Sequence, residues 1–293
     1  MIKEIILNVT PKWLLAILFP HRFGNKLPMF IQTFDSIANK GLKLYLREDS
    51  FMERVIRQTG LYGDWEKESL KIWATLSKQA NTIIDIGANT GIFSLIAKNN
   101  NANATVIAIE PINTNFDVLS KNIKKNKLDI IAEKVALSDK KGTATMFMLK
   151  DMLNYMTSVN DNRYELHPEI RNNHPVVEVE VPTDTFENIF NKHGLSQLDL
   201  IKIDVEGHEI AVLNNMLPLI EKYKPVILIE IIGDDNAAQI QQIVAPFNYS
   251  FVSIDEVNLS YEVDKLWDND HHNFLLCNKA VIKLLKDAGL VRK

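Results

Sequence analysis

The sequence predicts an α/β protein built around a mostly parallel β-sheet, and three observations support this fold class. Short β-branched runs alternate with helical stretches from residue 82 onward, which is typical of βαβ units. The runs Ile83-Ile84-Asp85-Ile86 and Val226-Ile227-Leu228-Ile229 are almost entirely apolar, as expected for strands that helices cover on both faces. The chain of 293 residues is 46% hydrophobic and 24% charged, so it can bury a substantial core.

The elements of this α/β region follow one another in a regular order. Five strands are predicted, at Thr82–Ile86, Thr105–Ile109, Ile130–Val135, Leu198–Ile203 and Pro225–Ile232. Helices are predicted at Ile92–Asn99, Asn113–Lys125, Asp184–Lys192, Glu209–Leu217 and Ala237–Val244. Two late runs, Tyr249–Ile254 and Asn273–Cys277, have no long helix between them, so we expect an antiparallel hairpin at one edge of the sheet.

Residues 1–78 are predicted to form a helical N-terminal extension of the main domain, residues 79–293. Helices are expected at Phe51–Gln58, which a glycine closely follows, and at Trp65–Ser77, where apolar residues recur near helical spacing. Leu42–Leu46 is the one strand-like run in this part of the chain. The extension could cover an active site or mediate a homodimer.

The most apolar segment near the N-terminus is Trp13–Phe19, which is far shorter than the eighteen or more residues of a membrane span. A proline, a histidine and an arginine follow it, and this is a poor signal-peptide cleavage site. We therefore expect an amphipathic helix packed on the domain or on a partner, with peripheral membrane contact through residues 11–20 as the alternative.

Residues 149–175 form the longest irregular stretch, which is rich in asparagine and histidine and contains two prolines. Loops of this length without secondary structure of their own are usually functional. We predict a lid or a docking loop here.

Charge and cysteine content narrow the functional classes. The 33 basic and 37 acidic side chains give a net charge of −4 and a pI near 6.0. No nucleic-acid partner is expected, because such proteins usually carry a basic domain or stripe. The single cysteine, Cys277, excludes an intrachain disulfide and a zinc site with several thiolates. It also fits a reducing compartment, so we expect a cytoplasmic location.

A glycine turn follows the first buried strand, with the sequence Asp85-Ile-Gly-Ala-Asn-Thr-Gly91. Such turns let a ligand approach the backbone and the N-terminus of the next helix. The dinucleotide fingerprint G-x-G-x-x-G is incomplete, because Asn89 and Ile92 occupy its second and third glycine positions. Glu110 follows the second strand, where an acid can accept hydrogen bonds from both hydroxyls of a ribose. The pattern favours a nucleoside ligand without a pyrophosphate, and Glu110, at a strand end, is expected to matter little for the fold.

Three motifs stand out along the chain: Asp-Ile-Gly-Ala-Asn-Thr-Gly at 85–91, Ile-Glu-Pro at 109–111 and Leu-Ile-Lys-Ile-Asp-Val-Glu-Gly-His-Glu at 200–209. Together with Lys-Pro-Val-Ile-Leu-Ile-Glu at 224–230, they resemble the FkbM family of S-adenosylmethionine-dependent methyltransferases. The resemblance extends from about residue 44 to the C-terminal strand. It implies a Rossmann-like class I methyltransferase fold, with a mostly parallel seven-stranded sheet and an antiparallel edge hairpin.

The resemblance implies S-adenosyl-L-methionine as the cofactor and assigns residues to it. The turn residues that would surround its methionine part are Asp85, Gly87, Asn89 and Gly91. Glu110 would hold the ribose hydroxyls, and Ala136 would lie against the adenine. Glu66 stands where the family often has an acid near the cofactor, and the alternative for Glu66 is a solvated charge on a helix.

The fourth strand and the loop after it carry four side chains suited to catalysis, which are Lys202, Asp204, Glu206 and His208. Ligands of open α/β sheets bind outside the carboxyl ends of the strands, where this loop lies. An alcohol must lose a proton as it is methylated, so a positioned base helps. His208, which departs from the small residue common in the family, is the predicted base. Asp204 would orient the imidazole or the acceptor hydroxyl, and Glu206 would orient the substrate or His208.

A structural alternative and a metal alternative both concern this loop. The carboxylates could instead satisfy backbone donors at the start of the next helix. A divalent metal between Asp204, Glu230 and a third oxygen ligand is conceivable. The spacing does not require it, so no metal is predicted.

The leading functional hypothesis is an S-adenosylmethionine-dependent O-methyltransferase, and the resemblance implies a hydroxyl acceptor on a sugar, a glycan or a secondary metabolite. A nicotinamide-dependent oxidoreductase is disfavoured by the missing glycines. The alternative from another class is a catalytically inactive nucleoside-binding or scaffold module of a glycan-assembly system.

Overall fold

The computed structural model describes residues 30–34, 41–47, 50–149 and 176–293. Its strands are β1 (Phe30–Phe34), β2 (Leu42–Leu46), β3 (Thr82–Ile86), β4 (Thr105–Ile109), β5 (Ile131–Glu133), β6 (Ala136–Leu137), β7 (Gly142–Leu149), β8 (Val176–Asp184), β9 (Leu200–Ile203), β10 (Val226–Glu230), β11 (Ser250–Ser253), β12 (Tyr261–Val263) and β13 (Asn273–Cys277). Its helices are α1 (Phe51–Thr59), α2 (Lys67–Ser77), α3 (Ile92–Asn100), α4 (Asn113–Asn126), α5 (Phe186–Lys192), α6 (Glu209–Tyr223), α7 (Asp234–Val244) and α8 (Lys279–Asp287), with a 3₁₀ turn at Ala245–Phe247.

The main sheet has the strand order β12-β11-β13-β10-β9-β3-β4-β5. The five strands from β10 to β5 are parallel, and β13, β11 and β12 extend the sheet in antiparallel fashion. This topology confirms the predicted fold class. Within the described ranges the sheet has eight strands rather than seven, because the short strand β12 is added at the edge. The two late runs pair as predicted, although β13 lies inside, between β10 and β11.

Helices cover both faces of the sheet, which explains its nearly continuous apolar strands. Neighbouring strand residues such as Ile83 and Ile84 belong to different core clusters, as alternation along a strand requires. One cluster contains Trp73 of α2 and Leu95 of α3. The other contains Met216 of α6 and the buried residues of α5 and α7. The loops at the carboxyl ends of the strands are therefore held on a rigid three-layer core.

Most predicted helices are confirmed, and the largest difference is at the end of α6. The prediction ended at Leu217, before Pro218, whereas the helix continues to Tyr223. Its apolar face is buried on both sides of the proline, at Met216 and Ile220. Tertiary packing therefore maintains a helix through a residue that removes one backbone hydrogen bond.

A separate three-stranded sheet, with the order β6-β8-β7, was not predicted. Strands β7 and β8 pair antiparallel from Gly142 and Thr183 to Leu149 and Val176, so the two ends of the predicted insertion lie side by side. Residues 150–175 lie outside the described residues, and the predicted lid or docking loop stays a prediction.

The described part of the N-terminal extension packs on the same core as the main sheet. Leu42, Leu44 and Leu46 of β2 are each 1% exposed and share a cluster with Ile83 of β3 and the buried apolar residues of α3. Strand β1, which was not predicted, pairs with β2. The apolar segment at residues 11–20 lies outside the described residues. None of the helices in the described ranges combines the length and the apolar character needed to cross a bilayer.

Candidate active site

The glycine turn is attached to the carboxyl end of β4 by two backbone hydrogen bonds. The amides of Gly87 and Ala88 both donate to the carbonyl oxygen of Ile109, at 3.0 and 2.9 Å. Gly87 has φ +77°, and a Cβ atom there would lie 1.7 Å from the carbonyl oxygen of Asp204. A side chain at this position would therefore clash with the end of β9, and glycine is required where the two loops meet.

Glu110 holds the turn from the side of β4. Its Oε2 accepts a hydrogen bond from the Asn89 amide at 2.8 Å, and its Oε1 accepts one from the Ile112 amide at 2.9 Å. The side chain is 4% exposed, and burial raises its pKa to about 8 despite these hydrogen bonds. The premise that Glu110 is a strand-end acid outside the core is therefore wrong, and we expect it to matter for the fold, because its buried carboxylate accepts from two backbone amides.

Asp85 links the end of β3 to the start of α3. Its Oδ2 accepts hydrogen bonds from the amide and the hydroxyl of Ser94, at 3.0 and 2.6 Å, so one oxygen caps the helix. Its Oδ1 is buried without a hydrogen-bond partner, as are Asn89 Oδ1 and Thr90 Oγ1 in the same turn. Burial raises the pKa of Asp85, and the nearby Lys202 opposes this. Three buried polar atoms in one turn with no partner in the protein are a sign of a ligand site.

Lys202 and Asp204 form an ion pair at the end of β9. The Lys202 ammonium is 2.5 Å from Asp204 Oδ2 and 4.5 Å from the centre of the Phe93 ring. Burial alone would lower the pKa of Lys202, but Asp204, Glu66 and Asp85 together raise it. The Lys202 side chain is 4% exposed and that of Asp204 is 25% exposed. The buried lysine thus holds the Asp204 carboxylate by an ion pair, and this carboxylate is the member of the pair that is accessible from the cleft.

His208 is the N-cap residue of α6, where its side chain makes no capping hydrogen bond. Burial lowers its pKa, and Asp139 opposes this effect. Asp204 Oδ2 accepts a hydrogen bond from Lys202, and the prediction that Asp204 orients the imidazole or the acceptor hydroxyl stays a prediction. The loop itself is held by Glu209, whose Oε1 accepts hydrogen bonds from the amides of Val205 and Gly207.

Glu66 precedes α2 in a left-handed conformation, with φ 42° and ψ 36°, and its side chain does not cap the helix. Glu256 does so instead, because its carboxylate accepts hydrogen bonds from the Glu68 amide at 2.7 Å and the Ser69 amide at 3.1 Å. Glu66 Oε2 is buried without a hydrogen-bond partner. Burial raises its pKa to about 8, with Lys202 opposing and Asp204 adding to the shift. Glu256 therefore caps α2, while the Glu66 carboxylate lies near the Lys202–Asp204 ion pair.

Two adjoining cavities lie along the carboxyl ends of the parallel strands. The larger cleft spans about 740 Å³, with the open solvent at its mouth included, and its lining contains Gly87, Asn89, Glu110, Ala136, Asp204, Glu206 and His208. The smaller cavity, of about 290 Å³, includes Trp65, Asp85, Gly87, Asn89, Phe93, Lys202 and Asp204. Of the predicted site residues, Gly91 and Glu66 line neither cavity. A Cβ atom at Gly91 would lie 2.4 Å from Leu119 Cδ1, so this glycine lets α4 pack against the turn.

Carboxylate oxygens of Asp204, Glu206 and Glu230 lie within 4.8 Å of one another and could offer ligands to a divalent metal. The Lys202 ammonium already provides positive charge to Asp204. Acidic groups at a cleft mouth are common without a metal, and we assign none here.

Two supporting residues were missed in the sequence, Glu209 and Glu256. An acid in the first turn of a predicted helix, such as Glu209, is a recognisable signal. Glu256 has no local signal, because it meets α2 only through the tertiary fold, across 187 residues of sequence from Ser69.

A family model, curated relatives and a solved structure are among the matches of this chain. A family model described as "Methyltransferase FkbM domain" matches residues 85–267, which is more than half of the chain. "Methyltransferase sdnD" of Sordaria araneosa is 29% identical over 154 residues, which cover 46% of this chain and 60% of that protein. "Methyltransferase 1" of Beauveria bassiana is 24% identical over 143 residues, covering 46% and 57%. The chain therefore matches less than two thirds of the length of either relative. The crystal structure of Methyltransferase FkbM from Methylobacillus flagellatus KT aligns with 14% identity and a TM-score of 0.41, over 67% of this chain and 43% of that chain.

Proposed function

Because the chain belongs to the FkbM methyltransferase family, we propose that it transfers a methyl group from S-adenosyl-L-methionine to a hydroxyl group. The acceptor hydroxyl is carried by a sugar, a glycan or a secondary metabolite. The observation that best supports this proposal is the pair of cavities that share the glycine turn and Asp204, with Glu110 in the lining of the larger and Lys202 in the lining of the smaller.

The larger cleft suits the adenosine part of the cofactor. Glu110 presents a carboxylate at the end of β4, where it can accept hydrogen bonds from the ribose hydroxyls. Ala136 is a small residue that leaves room for a flat base next to the apolar side chains of Ile112 and Leu137.

The smaller cavity suits the methionine part. The Oδ1 atom of Asp85 and the side-chain oxygen of Asn89 have no partner in the protein and lie in the turn that lines this cavity. Glu66 adds a third buried oxygen near the ion pair. These oxygen atoms could accept hydrogen bonds from the ammonium group of the methionine part. Lys202 is one cation beside the three carboxyl groups of Asp204, Glu66 and Asp85, so a bound positive charge would also balance the charge of this cluster.

When bound, the cofactor supplies an activated methyl group on a sulfonium, so the carbon–sulfur bond breaks as a carbon–oxygen bond to the acceptor forms. The residues of this chain have to align the acceptor and remove its proton. Asp204, held by Lys202 at 2.5 Å, is placed to accept a hydrogen bond from the acceptor hydroxyl. His208 accepts the proton, and its lowered pKa keeps the imidazole neutral, and so able to act as a base, at pH 7. Glu206, which also lines the cleft, orients the acceptor.

Binding and product analysis test this proposal. Isothermal calorimetry of the purified chain should show binding of S-adenosylmethionine and S-adenosylhomocysteine and no binding of NAD. Incubation with methyl-labelled cofactor and a panel of glycosides should yield a labelled methyl ether. Tight binding of the cofactor without any labelled product across a broad panel of acceptors would favour the alternative of a catalytically inactive binding module. Preference for NAD would overturn the proposal.

A further inference from the structure

The glycine turn is fixed by hydrogen bonds on three sides. Ile109 holds its first two amides, and Glu110 holds the Asn89 amide. The third contact comes from α4, where Asn122 Nδ2 donates to the carbonyl oxygen of Thr90 at 2.9 Å. The next amide, Gly91, donates to Ala88 at 2.8 Å, so both ends of the peptide group between residues 90 and 91 are bound.

Asn122 also contacts the N-terminal extension. Its Oδ1 accepts a hydrogen bond from the Tyr45 amide of β2 at 2.7 Å. Asn122 is 1% exposed. Its oxygen faces an N–H donor and its nitrogen faces a carbonyl acceptor, so these two partners determine the orientation of the side-chain amide. A single buried amide thus joins β2 to the turn that lines both cavities.

A second asparagine of α4 offers a natural comparison. Asn126, one helical turn further along, accepts from the Lys43 amide and donates to the Lys43 carbonyl oxygen, both at 2.8 Å. It therefore binds the same free edge of β2 as Asn122. Within the part of the chain that the structure describes, it makes no hydrogen bond to the glycine turn, and its bonds to Lys43 are exposed.

We propose that Asn122 is a positioning residue that fixes the cofactor turn against α4 and β2, so that its hydrogen bond to Thr90 sets cofactor affinity. This inference rests on the proposed function, because it takes the turn to be the methionine-binding loop. Two residues that flank Thr90, Asn89 and Gly91, have positive φ values of 51° and 91°. Glycine adopts this conformation freely, but at Asn89 the surroundings help to hold it, so the loss of one anchor should broaden the conformations of the turn. If fewer molecules without cofactor keep the turn in its binding conformation, the apparent affinity falls in proportion to that fraction.

The test compares Asn122→Asp with Asn126→Asp. Aspartate at 122 keeps an oxygen that accepts from Tyr45 but loses the donor to Thr90 and places a carboxylate oxygen near that carbonyl. We expect the dissociation constant for S-adenosylmethionine, measured by calorimetry, to rise about tenfold or more, the loss of one buried hydrogen bond. The KM for the cofactor should rise in parallel, while kcat at saturating cofactor stays within about twofold.

Asn126→Asp is the matched control. It removes an amide donor to β2 that lies in an exposed position, so its melting temperature should fall no further than that of Asn122→Asp, and its cofactor affinity should remain that of the wild type. Asn122→Ala replaces the aspartate variant if the latter does not fold. If the wild type binds cofactor and both asparagine variants bind it equally well, the positioning role is wrong while the proposed function stands. If the wild type itself does not bind the cofactor, the proposed function fails first.

Discussion

Replacement of Glu110 by glutamine separates the two tasks of this side chain. The carboxylate accepts hydrogen bonds from two buried backbone amides, and it is the proposed partner of the ribose hydroxyls. Glutamine keeps the size and one oxygen acceptor but cannot ionise. The alanine variant would be a poorer choice, because it leaves the amides of Asn89 and Ile112 both without an acceptor.

The stability change follows from the raised pKa. The pKa of Glu110 is about 8 in the folded state against an ordinary value of 4.5, so the wild type loses stability as the pH rises from about 4.5 to about 8. Integrated over this shift, the loss is about 3 kcal/mol between pH 5 and pH 8. Glutamine does not titrate and instead leaves one amide poorly paired, which costs about 1–3 kcal/mol at every pH. The variant should therefore be less stable than the wild type at pH 5 and should match or exceed it at pH 8.

At pH 8, where the glutamine variant should be at least as stable as the wild type, its affinity for the cofactor should be lower. Hydrogen bonds from two hydroxyls to a charged acceptor contribute about 1.5–3 kcal/mol, so the glutamine variant should bind S-adenosylmethionine about 10–100-fold more weakly at pH 8. Urea unfolding at both pH values and calorimetry at pH 8 provide the data. Unchanged affinity would refute the ribose assignment. A stability difference that does not vary with pH would refute the argument from burial.

Three further substitutions test other parts of the site. His208→Ala should lower kcat about 10²–10⁴-fold with little change in cofactor affinity, and the fall of the rate below pH 6.5 should disappear; near-full activity of this variant beside an inactive Asp204→Asn would assign proton transfer to the carboxylate instead. Lys202→Met should lower the free energy of unfolding by about 3 kcal/mol, since it leaves buried carboxylates uncompensated, and denaturant titration showing no loss would contradict the charge argument. Glu256→Gln should cost about 1–3 kcal/mol, because it weakens the cap of α2, and cofactor affinity should fall with it if the position of Glu66 depends on that cap; an unchanged melting temperature would show that the cap is dispensable.

Local sequence patterns predicted the strands and helices of the main sheet because their signals are short-range. A buried parallel strand such as β3 appears as an apolar run, and an amphipathic helix such as α4 appears as a period near 3.6. The motif at 85–91 predicted where a ligand would meet the sheet, since the carboxyl ends of parallel strands share one edge.

The tertiary structure alone determined which partner each polar side chain has. Lys202 and Asp204 were predicted as separate candidates, and only packing showed that they form an ion pair at 2.5 Å. In the sequence, Asn122 is an ordinary polar residue of a predicted helix, but the fold buries it between β2 and the glycine turn. Glu256 caps a helix that begins almost 190 residues earlier in the chain. Periodicity is a property of residues that are close in the sequence. A buried hydrogen bond instead depends on which distant segments pack together and exclude water, and these segments meet only when the chain folds.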